Sequence, residues 1–298
     1  MKPLGLGARI SRGLRVGARA AGRGVVEFNS SANLTYSASI AYYSLLSLFP
    51  FLLIVLAILR WLALAPAGAA LGGLIENALP ANLAPIVRLI QAFDAPLELG
   101  VMSILVALWA SMGVFGAVTS AVNHAWGVEE PPGFFKHKLI AFVMLLAAGL
   151  LLIVALVLVT TVKIVEARWF AGVLASYPSL EMATGFFTRN LPTPLFILVV
   201  GLIYYYVPNV KVRLRDVWFG AVLAGGLWRL ALGGFSLYMR DLSRFSVEGS
   251  VATILVFLMW VYLSAVILLY GVEVTAAYAH LRHTPRIPRD DPDAPDAP

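Results

Sequence analysis

Two charged residues stand inside apolar runs: Arg229 within 217–238 and Glu273 within 250–280. A cation near the middle of a bilayer costs ~2.5–3.5 kcal/mol on insertion scales, so Arg229 is expected to face the bundle interior or a water-filled cavity. There it would hold an anionic group. Glu273, two turns from the end of its run, would be its partner or a proton site. An equally weighted reading makes the pair a clamp between two helices. A third group lies in YSASIAYYSLLSLFPFLLIVLAILRW, residues 36–61. At 3.6 residues per turn, Tyr36, Tyr43, Ser47 and Pro50 share one side. Pro50 has no N–H and leaves the Leu46 carbonyl without its helical donor, which predicts a kink there. This face is expected to look toward the runs holding Arg229 and Glu273. Helix packing is the commoner use of such a stripe. Asn123, near the end of the run 99–126, is added to the polar lining.

Enzyme chemistry finds little support. His124, His137, His280 and His283 are scattered, and none has metal-ligand spacing. There is no HExxH, P-loop or G-x-S-x-G, and no cysteine. The expectation is a protein that is not an enzyme, with no catalytic residue, metal or cofactor.

The elements that position these residues follow from composition. The 298-residue chain is 60% hydrophobic and 13% charged, with mean hydropathy +0.85. Ordinary globular domains are ~45–50% apolar and ~25% charged. The composition therefore predicts an all-α polytopic membrane bundle. Six spans are expected, at about 36–61, 99–126, 139–161, 191–207, 217–238 and 250–280, forming one integral domain over 36–281. Short helices are expected in the outer connections 62–98 and 162–190. Asp216 is expected to N-cap the fifth span. The 139–161 span, nearly featureless, is the natural one to meet lipid.

Residues 1–35 carry Arg9, Arg12, Arg15, Arg19 and Arg23 on about one third of a helical wheel, opposite an apolar side. This predicts a basic amphipathic helix lying on an anionic leaflet, with membrane lipids as partners. Its glycines weaken the helix, and a disordered basic tail is the alternative. No aromatic residues are interleaved for base stacking, so no nucleic-acid partner is expected. The tail 282–298 is Pro/Asp-rich and expected to be disordered. Six spans put both termini on one side. The tails and loops of that side hold fourteen lysines and arginines against six opposite. The positive-inside rule makes that side the cytoplasm of a bacterial inner membrane.

Four stretches carry a resemblance: AYYSLLSLFPFLL in the first span, VNHAWGV closing the second, YYYVPNVKVRLRDVWFGAVLAGGLW across the fourth and fifth, and GSVATILVFLMWVYLSAVILLYGVE in the sixth. Together they make the chain, over about 25–280, similar to the YihY/BrkB family of bacterial inner-membrane proteins. Two places depart from that family's pattern. Val247-Glu248 precedes Gly249 where an aromatic residue is common. Tyr270-Gly271-Val272-Glu273 stands for the more usual Leu-Gly-Ala-Glu. The resemblance implies a membrane protein long labelled ribonuclease BN, linked in some members to virulence. The residues argue against that nuclease, since no His/Asp cluster is available for catalytic metals.

Three function classes follow. A transporter or translocator of anionic amphiphiles is favoured, with Arg229 as substrate-side cation and Tyr43 and Ser47 as wall. A structural or assembly protein of the envelope comes second, and a tRNA-processing ribonuclease third.

Overall fold

The structure, a computed structural model, describes residues 6–30, 32–61, 101–128, 133–165, 192–242 and 250–283. Among them are seven helices and no strand: α1 (Leu6–Ser30), α2 (Asn33–Trp61), α3 (Val101–Ala125), α4 (Phe134–Val165), α5 (Pro192–Tyr206), α6 (Leu214–Leu242) and α7 (Ser250–His283). The all-α class is as expected. The span count is not: among the described residues, five helices (α2, α3, α4, α6 and α7) are long and apolar enough to cross a membrane. The fourth expected span, α5, has 15 residues, or about 22 Å at 1.5 Å per residue, short of the ~20 residues a full crossing needs. The helices expected in the outer connections lie outside the described residues.

α7 is the centre. It packs against α1, α2, α3, α5 and α6, and every residue from Gly271 to Ala277 is buried. Close approach explains how so many helices fit around it. A Cβ at Gly220 of α6 would run into Thr275 Oγ1 and the Gly271 carbonyl. A Cβ at Gly271 would run into the Tyr204 hydroxyl and stand 2.9 Å from Ala224 Cβ. The missing side chains let Tyr204 of α5 sink completely and donate its hydroxyl to the Leu268 carbonyl at 2.6 Å. α5 runs antiparallel to α6, with Gly201 beside Ala221, Ile197 beside Gly225, and Phe196 stacked on Trp228 at 4.3 Å.

Among the described residues, Lys136, Lys211, Arg213, Arg215 and Arg282 gather at one end of this bundle. There α3 stops at Gly127, whose φ of 64° suits a left-handed cap. Asn123 Oδ1 accepts from the Asn209 N–H at 2.7 Å, and Lys136 donates to Asn209 Oδ1. Asp216 does not cap α6 from outside. The helix begins two residues earlier, so the carboxylate sits in its first turn, where the helix dipole favours it. It is buried and pairs with Arg282 at 3.3 Å. α7 runs to His283, and residues 284–298 of the expected tail lie outside the described residues. α4 stays on the outside against α3, exposing Val143, Leu146 and Leu150.

α1 differs most from expectation. It is helical and amphipathic, but it packs on α7 rather than standing apart. Gly17 lies against the Phe219 ring, Ala20 is fully buried, and a Cβ at Gly24 would stand 2.7 Å from Val274 Cγ2. The small residues that lower helix propensity are the ones that let α1 approach.

Candidate functional site

α7 holds both sides of the α1–α2 turn. Tyr270 donates its hydroxyl to the Ala21 carbonyl at 3.1 Å and meets the Phe28 ring edge-on at 6.2 Å. Three residues on, Glu273 takes the start of α2: Asn33 Nδ2 donates to Glu273 Oε1 at 2.7 Å. Asn33 and Ser37 are fully buried, and Ser37 Oγ returns to the Asn33 carbonyl at 2.9 Å. Glu273 is 5% exposed. Asn33 opens α2, so the carboxylate lies by a helix N-terminus, where the dipole stabilises negative charge. One turn further, the Tyr36 ring sits 4.8 Å from the His124 ring of α3.

Arg229 is not part of this arrangement. No ion pair joins it to Glu273, and it is exposed on the outward face of α6 with Leu230 and Gly233. The register explains the failure. Gly220 and Ala224 lie against Gly271, which puts Glu273 near the level of residue 222. Arg229 is seven residues along, about 10 Å away in depth, and on another side of the helix. The expected Arg229–Glu273 pair is thus replaced by Asn33–Glu273.

The α2 stripe is split. Ser47 is buried, and its hydroxyl donates to the Tyr43 carbonyl at 2.7 Å. Tyr43 is 43% exposed and leans on Gly113 of α3, 3.2 Å from a Cβ placed there. Tyr36 and Tyr43 of the stripe thus meet the second span, at His124 and Gly113. It is Leu45 and Leu48 that pack toward Phe235 and Trp260. Pro50 is half-buried, and α2 runs past it unbroken. Asn123 is a tie rather than a cavity wall: its amide donates to the Thr119 carbonyl at 2.8 Å while its oxygen takes Asn209. Arg19 and Arg23 are exposed on α1, and Arg23 pairs with Glu27 at 2.7 Å. The side chains of Arg9, Arg12 and Arg15 lie outside the described residues.

Beside the α1–α2 turn lies an open groove of about 580 Å³, lined by Val25, Phe28 and Asn29 of α1, Leu227 of α6, and Val266 and Tyr270 of α7. Its lining is overwhelmingly apolar. The sequence reading missed both this groove and Asn33. The available signal was the small-residue spacing Gly17–Ala20–Gly24, which marks a docking face. Among the described residues, no three His, Asp or Glu side chains gather where a metal could be held.

With this geometry in place, a family model described as virulence factor BrkB matches residues 25–297. The chain belongs to the BrkB family. It is 31% identical over 245 residues to a putative ribonuclease-like protein YfkH of Bacillus subtilis, covering 80% of this chain and 88% of the relative. It is 32% identical over 259 residues to a UPF0761 membrane protein of Vibrio parahaemolyticus, covering 82% and 77%. No solved structure matches. The chain is thus an integral membrane protein of the BrkB family.

Proposed function

We propose that this protein handles anionic amphiphiles in a bacterial inner membrane, as a transporter or lipid translocator rather than an enzyme, with both termini in the cytoplasm; although α5 is too short for a full sixth crossing, the antiparallel packing of α1 on α7 brings the start of α1 and the end of α7 to the same end of the bundle. The observation that carries this reading is the apolar groove opening beside a helix that exposes arginines. An apolar cleft with few polar groups is the ordinary form of a small-molecule site, at roughly 300–1,000 Å³. Arg229, on the outward face of α6, is not needed for it.

Purified protein in proteoliposomes containing fluorescent phosphatidylglycerol tests the reading. Transbilayer movement above that of protein-free vesicles is expected; movement at the protein-free rate with a folded protein contradicts it. The envelope-structural reading draws on a different observation: Glu273, Asn123 and Asp216 are each engaged with another helix or loop. The ribonuclease-like name of the Bacillus relative marks the third class. Incubating the purified protein with tRNA and divalent metal should leave the tRNA intact.

A further inference from the structure

The groove and the arginines of α1 share one helix. Arg19, Arg23 and Val26 follow at i, i+4 and i+7, so they line up on one side. Val26 forms the outer rim of the groove, and the arginines continue that rim toward the start of α1. Arg19 has no ion-pair partner among the described residues, while Arg23 shares its charge with Glu27. α1 runs antiparallel to α7. Gly17 lies at the level of Tyr278, and Phe28 at that of Tyr270. The arginines therefore stand nearer the basic end of the bundle than the groove does. Moving along α1 from that end, a ligand would meet guanidinium groups first, then branched aliphatic side chains, with Asn29 and Tyr270 as the polar groups at the groove.

That order matches one molecule. We propose that the groove between α1, α6 and α7 binds an anionic glycerophospholipid of the surrounding membrane. One acyl chain lies against Val25, Phe28, Leu227, Val266 and Ile267, and the headgroup phosphate is held by Arg19 and Arg23. A zwitterionic lipid would fill the groove equally well, but its cationic headgroup would offset the attraction to the arginines. This assignment deepens the amphiphile reading and rests on it for substrate class, yet binding is separable from movement.

The test uses full-length protein in detergent with phosphatidylglycerol or phosphatidylcholine, reading the lipid retained by mass spectrometry and the shift in unfolding temperature. Wild type is expected to retain phosphatidylglycerol about tenfold over phosphatidylcholine. Arg19→Gln/Arg23→Gln is expected to lower phosphatidylglycerol retention to the level of phosphatidylcholine and so remove that preference. Val26→Trp, on the exposed rim and away from the packed core, is expected to lower retention of both lipids at unchanged helicity. Equal retention of the two lipids by wild type overturns the proposal. So does a Val26→Trp or double-Gln variant that behaves as wild type. Lipid retained with the expected preference but not moved in vesicles upholds this site and sinks the transport reading alone.

Discussion

Glu273 and Arg229 are both charges inside apolar helices, and the fold treats them in opposite ways. Glu273 is buried and accepts a hydrogen bond from Asn33 at the start of α2. Arg229 is left on the outward face of α6. The same division runs through the glycines of α6. Gly220 and Gly225 admit α7 and α5, whereas Gly226, Gly233 and Gly234 meet nothing within 4 Å. A charge or a glycine is thus spent on packing on one face of α6 and left unpacked on the other. Depth along a helix does not decide which; the side of the helix does.

Substitutions on the two faces sharpen the contrast, each read as a change in thermal stability of purified protein. Gly220→Ala should be the most damaging, costing about 3 kcal/mol, because the new Cβ meets both Thr275 and the α7 backbone. Asn33→Leu should cost about 2 kcal/mol, the loss of a buried hydrogen bond to a charged group. On the outward face the sign turns: Gly233→Ala should stabilise by up to about 1 kcal/mol, the helix-propensity difference with no clash. Arg229→Leu should change stability least, within about 0.5 kcal/mol or slightly upward, since it breaks no described contact. A large loss from Arg229→Leu, or none from Asn33→Leu, would break the contrast.

Much of the fold was legible from composition and run length. The all-α class, the five long spans and the basic end all follow from hydropathy and the placement of Lys and Arg. α5 was read as a full span over 191–207, yet the helix has 15 residues and Tyr204 near its end is buried against Gly271. The site was less legible. Glu273 stands out in the sequence as a charge in an apolar run, but Asn33, which hydrogen-bonds it, lies 240 positions away, outside any local pattern. The glycines of α1 read locally as helix weakeners. Only contact with Phe219 and Val274 shows them as a docking surface.

The α1–α2 turn is clamped onto α7 through Tyr270 and Glu273, and the groove opens beside it. The chain contains no cysteine, so an engineered pair reports without background. In native membranes under mild oxidation, Gly24→Cys/Val274→Cys should cross-link as completely as a Gly201→Cys/Ala221→Cys control, where the Cβ separation of 3.7 Å suits a disulfide. Efficient cross-linking of the control with none between positions 24 and 274 would contradict the account.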